Sequence, residues 1–256
     1  MLKKRLIFIL YFQDGIFHLS RNFNLQQVGD SKWLIDKFNF SSIGDYIDEL
    51  IIIDVSRNRS DKKNNKSLQD SIKSIMKGIF VPLTIGGGVY EMDEAEKCFD
   101  AGADKILLNT AAVIKSSFVK DCVSKFGSQA VVGSIDIKKE NNEYRTYIKN
   151  GTEIFSNFVQ HINLIIDLKV GELFVNSIDR DGTGIGCDIE LASMLPEISI
   201  PTIYAGGAGK PEHLSEALSL PNISAVGTGN LFNFIGTGFQ DSRKHLSETL
   251  SNIRKL

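Results

Sequence analysis

Cysteine, proline and tryptophan are scarce in this 256-residue chain (three, five and one), and neither sign of charge prevails, with 29 Lys and Arg against 31 Asp and Glu. Cys98, Cys122 and Cys187 are odd in number, far apart and without a CxxC pair. That argues against a disulfide scaffold or a zinc cluster and fits reduced thiols. His18, His161, His213 and His245 form no short-spacing ligand set, so neither a metal nor another cofactor is expected. A net charge of −2 gives no general reason to expect nucleic acid or an anionic membrane as partner. No stretch approaches the ~18–20 apolar residues of a membrane span, so no membrane insertion is expected. Lys3, Lys4 and Arg5 before Leu6–Phe12 imitate part of a signal peptide, but the apolar run is short and meets Gln13-Asp14-Gly15 without a small-residue cleavage site. It reads as a buried strand of a cytoplasmic protein.

What is present is a regular alternation. Strand-like apolar runs fall at Arg5–Phe12, Glu49–Val55, Phe80–Ile85, Lys105–Asn109, Ala130–Ile137, Glu172–Ile178, Ile200–Tyr204 and Ile223–Gly227. Helical patterns fill the gaps at Trp33–Ile47, Ser67–Lys77, Glu91–Ala101, Ser116–Phe126, Ile154–Val170, Ile189–Leu195, Glu212–Leu218 and Asp241–Lys255. Strict alternation predicts parallel strands with crossover helices, and eight units in this length predict a (βα)8 TIM barrel. No composition shift marks a linker, so residues 1–256 read as one barrel domain. The Asp61–Lys66 run reads as a solvated loop, Lys138–Gly151 as a hairpin over the mouth, and Gln13–Asp30 as a mobile lid.

The chain also repeats itself. Phe80-Val81-Pro82-Leu83-Thr84-Ile85-Gly86-Gly87-Gly88 resembles Ser199-Ile200-Pro201-Thr202-Ile203-Tyr204-Ala205-Gly206-Gly207, with the prolines and the glycines each 119 positions apart. Two four-unit half-barrels, and hence paired sites, are expected. Glycines directly after strands let backbone N–H groups approach a phosphate, and a following helix N-terminus adds a positive dipole end. Two cradles are therefore expected: Gly87 and Gly88 with Asn109 and Thr110, and Gly206 and Gly207 with Gly229 and Asn230. They suit a phosphorylated, bisphosphate-like ligand.

Ile7–Gly15, Pro82–Gly88, Ala101–Lys105, Phe126–Gln129, Ser177-Ile178-Asp179-Arg180-Asp181-Gly182-Thr183 and Ala205-Gly206-Gly207-Ala208-Gly209-Lys210 closely resemble the cyclase subunit of imidazole glycerol phosphate synthase, nearly end to end. The resemblance implies a barrel that receives ammonia from a partner glutaminase at its N-terminal face. At the other end such a barrel closes an imidazole ring on a bisphosphorylated substrate in histidine biosynthesis. It implies catalytic Asp136, pocket residues Asp181 and Thr183, and an ammonia gate of Arg5, Glu49, Lys105 and Glu172. Two positions depart. Tyr11 stands where the family has its other catalytic aspartate, and Leu19 lies nearest the place of a loop lysine. A phenol of ordinary pKa about 10 is a poor base at neutral pH.

This pattern resembles paralogues of surface-polysaccharide pathways, and Leu19-Ser20-Arg21-Asn22-Phe23 followed by Val28-Gly29-Asp30 fits that branch. The resemblance then implies ammonia supply to a sugar amidotransferase that turns an acetamido group into an acetamidino group. A working cyclase using Asp136 with another carboxylate such as Asp181, and a non-catalytic activator of a glutaminase, remain as alternatives. Asp54 reads equally as a pocket or a hydrogen-bonding residue.

Overall fold

The computed structural model describes residues 3–38, 40–56, 62–229 and 237–255. Its first half runs β1 (Arg5–Gln13), β2 (Ile16–Arg21), β3 (Asn24–Gly29), α1 (Ser31–Phe38), α2 (Phe40–Ile43), β4 (Glu49–Asp54), α3 (Lys62–Met76), β5 (Leu83–Gly86), α4 (Met92–Asp100), β6 (Lys105–Leu108), α5 (Thr110–Ile114) and α6 (Ser116–Phe126). Its second half runs β7 (Val131–Glu140), β8 (Glu143–Ile148), β9 (Glu153–Asn157), α7 (Phe158–Asp167), β10 (Glu172–Ser177), α8 (Ile189–Met194), β11 (Thr202–Ala205), α9 (Pro211–Ser219), β12 (Ala225–Thr228) and α10 (Gly238–Thr249). Parallel pairing in the order β1, β4, β5, β6, β7, β10, β11, β12 and back to β1 closes an eight-stranded barrel. The (βα)8 fold is present.

Alternation along β1 explains its unbroken apolar run. Leu6, Phe8, Leu10 and Phe12 pack outward beneath the helices, whereas Ile7, Ile9 and Tyr11 point into the barrel with Ile51, Leu107, Val132 and Phe174. Both faces of such a strand are buried, so polar alternation is absent.

The duplication is visible in the register. Ile51 pairs with Thr84 in the first half, and Phe174 with Ile203 in the second. Thr84 pairs with Lys105, and Ile203 with Ala225. Tyr11 pairs with Ile53, and Asp136 with Asn176. Tyr11 and Asp136 thus occupy equivalent places in the two halves.

Several expected elements differ. The segment from Gln13 to Asp30 is not an irregular lid but a pair of antiparallel hairpins continuing β1 into β2 and β3. Its first turn is Asp14-Gly15, at φ +50° and +91°, a dipeptide suited to tight hairpin turns. Residues 154–157 form strand β9 rather than the start of a helix, because Asn157 accepts a hydrogen bond from Gln160 N–H (3.0 Å) and caps α7 there. Lys62–Lys66 belong to α3 instead of a loop, and Asp61 lies outside the described residues. Polar composition alone does not distinguish a loop from the opening turns of a helix. Phe80 is 95% exposed, so β5 starts only at Leu83, after Pro82. The Trp33–Ile47 helix is broken into α1 and α2, and the last helix spans Gly238–Thr249. The hairpin at 138–151 is present as β7 and β8, turning at Asn141-Asn142.

One fully buried cation fastens α10 to the rest. Arg243 donates to Tyr46 O (2.7 Å) and to Asp48 Oδ2 (2.6 Å), and that same carboxylate oxygen accepts Leu6 N–H (2.7 Å). Without Arg243, Asp48 keeps only the half-exposed Arg254 as a charged partner (Nε–Oδ1 3.0 Å) and Tyr46 O loses its donor, so Arg243→Leu should cost about 3 kcal/mol. The melting temperature should fall by roughly 6–12 °C. A thermal melt unchanged within 2 °C or so would show that the pair contributes little.

Candidate functional site at the two ends of the barrel

At the strand starts, four charges close the barrel floor. Arg5 Nη1 bonds Glu49 and, at 2.8 Å, Glu172, while Lys105 Nζ bonds Glu49 (3.0 Å) and Glu172 (3.0 Å). Each carboxylate is shared by both cations, and all four side chains are largely buried. The expected ring is therefore brought together. Above it the interior is apolar, lined by Ile7, Ile51, Leu107, Val132, Phe174 and Ala225.

At the strand ends, Tyr11 and Asp136 face the mouth. Asn109 Nδ2 donates to Asp136 Oδ2 (2.9 Å). Asp136 touches the cavity yet sits deep among protein atoms. Burial raises its pKa to about 7 against the hydrogen bond from Asn176, nearby Asp181 raises it further, and the bond from Asn109 opposes. That is a suitable value for a proton-transfer group near neutral pH. Burial, then Asp181 and Asp136, push the Tyr11 phenol well above its ordinary 10. It remains neutral, and the two positions related by the half-barrel repeat have different chemistry.

Tyr11 also separates two cavities of unequal size. The first-half cavity holds about 630 Å³ and is bordered by Gly87, Gly88, Asn109, Thr110 and Asp136. It also exposes Ser134, Asn176, Tyr90 and Lys149, which sequence reasoning missed. For Asn176 and Ser134 the available signal was a polar residue inside a buried strand. The second-half cavity, bordered by Leu19, Asp181, Gly206, Gly207 and Gly229, holds about 30 Å³. Asn230 lies outside the described residues.

The hairpin β2–β3 is what narrows the second cavity. Ser20 donates to Asp181 Oδ2, Phe23 N–H donates to the same oxygen (3.1 Å), and Asn22 N–H donates to Asp181 O (2.9 Å). A Cβ on Gly182 would lie 1.8 Å from Ser20 O, so only glycine admits the hairpin tip this closely. Asp181 is buried and held within this clasp. It borders the small cavity rather than the large one bordered by Asp136, yet it is near enough to raise the pKa of both Asp136 and Tyr11. Thr183 Oγ1 donates to Arg180 O (2.8 Å), a turn-forming contact.

Two further details bear on the expectations. Some of the N–H donors beside the glycines are already engaged within the protein. Glu94 accepts from Tyr90 N–H (2.7 Å) and Glu91 N–H (3.1 Å), capping α4 with its own carboxylate. In the second half, Gly209 N–H already donates to His213 Nδ1 (3.1 Å). Asp54, at the outward position beside inward Ile53, is buried away from the mouth and accepts Ser56 N–H (2.9 Å), which is the hydrogen-bonding alternative. Among the described residues no three His, Cys, Asp or Glu side chains gather as a metal site, and no helix is long and apolar enough to cross a membrane.

The Asp136 environment has a consequence for stability. Unfolded, the carboxyl titrates near 3.8; folded, near 7. Between these values the folded state holds a proton that the unfolded state has lost, so this group's contribution falls as pH rises from about 4 to about 7. Asp136→Asn should therefore melt several degrees higher than the parent at pH 8, a gain of at most about 4 kcal/mol that vanishes near pH 4. Melting curves at pH 5 and pH 8 that shift equally would show that this carboxyl ionises normally.

The geometry agrees with comparisons to known proteins. The family model described as Histidine biosynthesis protein matches residues 24–235. A protein of Parasynechococcus marenigrum (strain WH8102), provisionally named imidazole glycerol phosphate synthase subunit hisF2, is 40% identical over 95% of this chain and 90% of its own length. The imidazole glycerol phosphate synthase subunit HisF of Saccharolobus solfataricus is 34% identical over 99% of this chain and all of its own. That of Streptococcus mutans is 31% identical, again over 99% and the whole. A barrel with this floor, this Asp136 and these relatives along its whole length belongs to the imidazole glycerol phosphate synthase cyclase-subunit family.

Proposed function

We propose that this chain is a paralogue of the cyclase subunit that receives ammonia from a glutaminase docked on the N-terminal face and passes it through the barrel. The recipient would be a sugar amidotransferase of surface-polysaccharide synthesis. There ammonia replaces the oxygen of an acetamido group, giving an acetamidino group, and the oxygen leaves as water or as part of the activating group. The observation that carries the reading is the contrast between the two ends. The floor has its closed ring of Arg5, Glu49, Lys105 and Glu172 below an apolar interior. The mouth has a neutral phenol at the place equivalent to Asp136.

Both floor carboxylates are paired twice. If Lys105 swings aside, each keeps Arg5, so a narrow opening costs less than full separation of an isolated buried pair. An apolar interior then admits neutral ammonia and disfavours ammonium or hydronium. Phosphorylated small molecules are the ligands best suited to the mouth, held by Gly87, Gly88, Asn109 and Thr110 in the open half. Ordinary ring closure lacks the second carboxylate it would need, since Asp181 is engaged with Ser20 and Phe23. The alternative of a working cyclase, using Asp136 with another carboxylate such as Asp181, requires Asp181 to leave Ser20 and Phe23.

Mixed with the glutaminase subunit of the same cell, the chain should raise glutamine hydrolysis about tenfold or more. With the bisphosphorylated histidine-pathway substrate and ammonium, its cyclisation rate should stay below about 1% of that of a working cyclase. Cyclisation at a normal rate would establish the cyclase alternative instead. Stimulated hydrolysis with no ammonia reaching any acceptor would leave the activator role. Lys105→Met should uncouple the ends, lowering ammonia transfer about fivefold or more while glutamine hydrolysis persists. Unchanged transfer would remove the ring from the path.

A further inference from the structure

The two half-barrels offer anions unequal accommodation. In the first half, the open cavity of about 630 Å³ is lined by the Gly87-Gly88 backbone, Thr110 and Lys149. Lys149 is the one Lys or Arg among the described lining residues. Its backbone N–H is fixed on Thr110 Oγ1 (2.9 Å), which holds its loop against the glycine side of the mouth. Its ammonium is half exposed and pairs with Glu153 at the rim (2.6 Å), so it can turn towards a ligand without first leaving a buried partner.

In the second half, the corresponding space of about 30 Å³ admits a water or two, and no phosphate. Its walls carry no Lys or Arg among the described residues, and each cavity is bordered by one carboxyl group, Asp181 here and Asp136 in the other, so Lys149 is the difference in charge. Gly207 packs on Gly186 O, where a Cβ would lie 2.1 Å away, much as Gly87 packs on Asp54 O at 2.0 Å, so the glycines themselves are alike in the two halves. What differs is the loop after β10 and the β2–β3 hairpin clasped onto it at Asp181 and Gly182.

We infer that the mouth takes a ligand with a single anionic end, a phosphomonoester seated against Gly87, Gly88 and Lys149, and that Tyr11 with the Asp181-clasped hairpin bars a second phosphate. The inference rests on the reading above only in taking the mouth as a ligand site. Asn109, Asn176 and Ser134 line the rest of that cavity with hydroxyl and amide groups, and Tyr90 and Phe23 offer aromatic faces. Such a lining suits a hydroxyl-rich, sugar-like body beyond the phosphate.

Calorimetric titration of the isolated chain with ribose 5-phosphate and with ribulose 1,5-bisphosphate tests this. The monoester should bind at least as tightly as the bisphosphate, and Lys149→Glu should weaken it about tenfold. Ser20→Ala, or Asp181→Asn if the first leaves the hairpin seated, should shift the ratio of bisphosphate to monoester affinity about tenfold towards the bisphosphate. A parent chain that prefers the bisphosphate by about tenfold or more overturns the inference, as does failure of both probes to bind at millimolar concentration. Insensitivity to Lys149→Glu overturns it too. No glutaminase is present in these titrations, so a failure here leaves the ammonia-transfer reading standing, and failure of glutaminase stimulation leaves this result untouched.

Discussion

Four charges at the barrel floor hold one another in place, and that mutual dependence organises the molecule. Arg5, Glu49, Lys105 and Glu172 come from β1, β4, β6 and β10, so the ring exists only when strands from both half-barrels are in register. Buried charges are costly unless each has partners, and here every member has two. The same registration that builds the floor determines which residues reach the mouth. It sets Tyr11 opposite Ile53 and Asp136 opposite Asn176, and so fixes the chemical difference between the halves.

That difference extends outward from a single side chain. A phenol is larger than a carboxylate and, in this setting, neutral. Around it, the space that a symmetrical barrel would leave open is filled by the hairpin tip at Ser20 to Phe23. Phe23 is held at φ +64°, a left-handed conformation uncommon for an aromatic residue, by its N–H bond to Asp181. Asp181 anchors backbone and hydroxyl groups of the hairpin. Asp136 keeps the environment of a proton-transfer group, with burial and Asp181 raising its pKa and two amides moderating the rise.

Much of the fold was legible in the sequence because both faces of each central strand are buried. Leu6 to Phe12 could hardly be anything else, and the repeat around Pro82 and Pro201 announced the half-barrels. What escaped was decided by contacts outside each segment. Ile154 and Phe155 fit a helical pattern, yet they pair with β8, and Asn157 decides where the helix begins. β3 is mostly exposed and polar, so its hydrophobic signal is weak; the Asp14-Gly15 dipeptide is a hairpin signal that the reading of a lid passes over. At the site, the glycine pairs were readable, but not their accessibility. Whether Gly207 meets a ligand or Gly186 depends on a loop some twenty residues away in sequence, which no local pattern records.

Barrel closure brings together segments made far apart in time. Arg5 pairs with Ala225, and Lys4 bridges to Ile253. On the ribosome, β1 must therefore wait with one edge unpaired until β12, which pairs Ala225 with Arg5, has emerged. An apolar strand in that condition is a template for unwanted association. The nascent first half has one means of shielding it: β4 can occupy the other edge early, leaving β12 to complete the seam as the last act of folding.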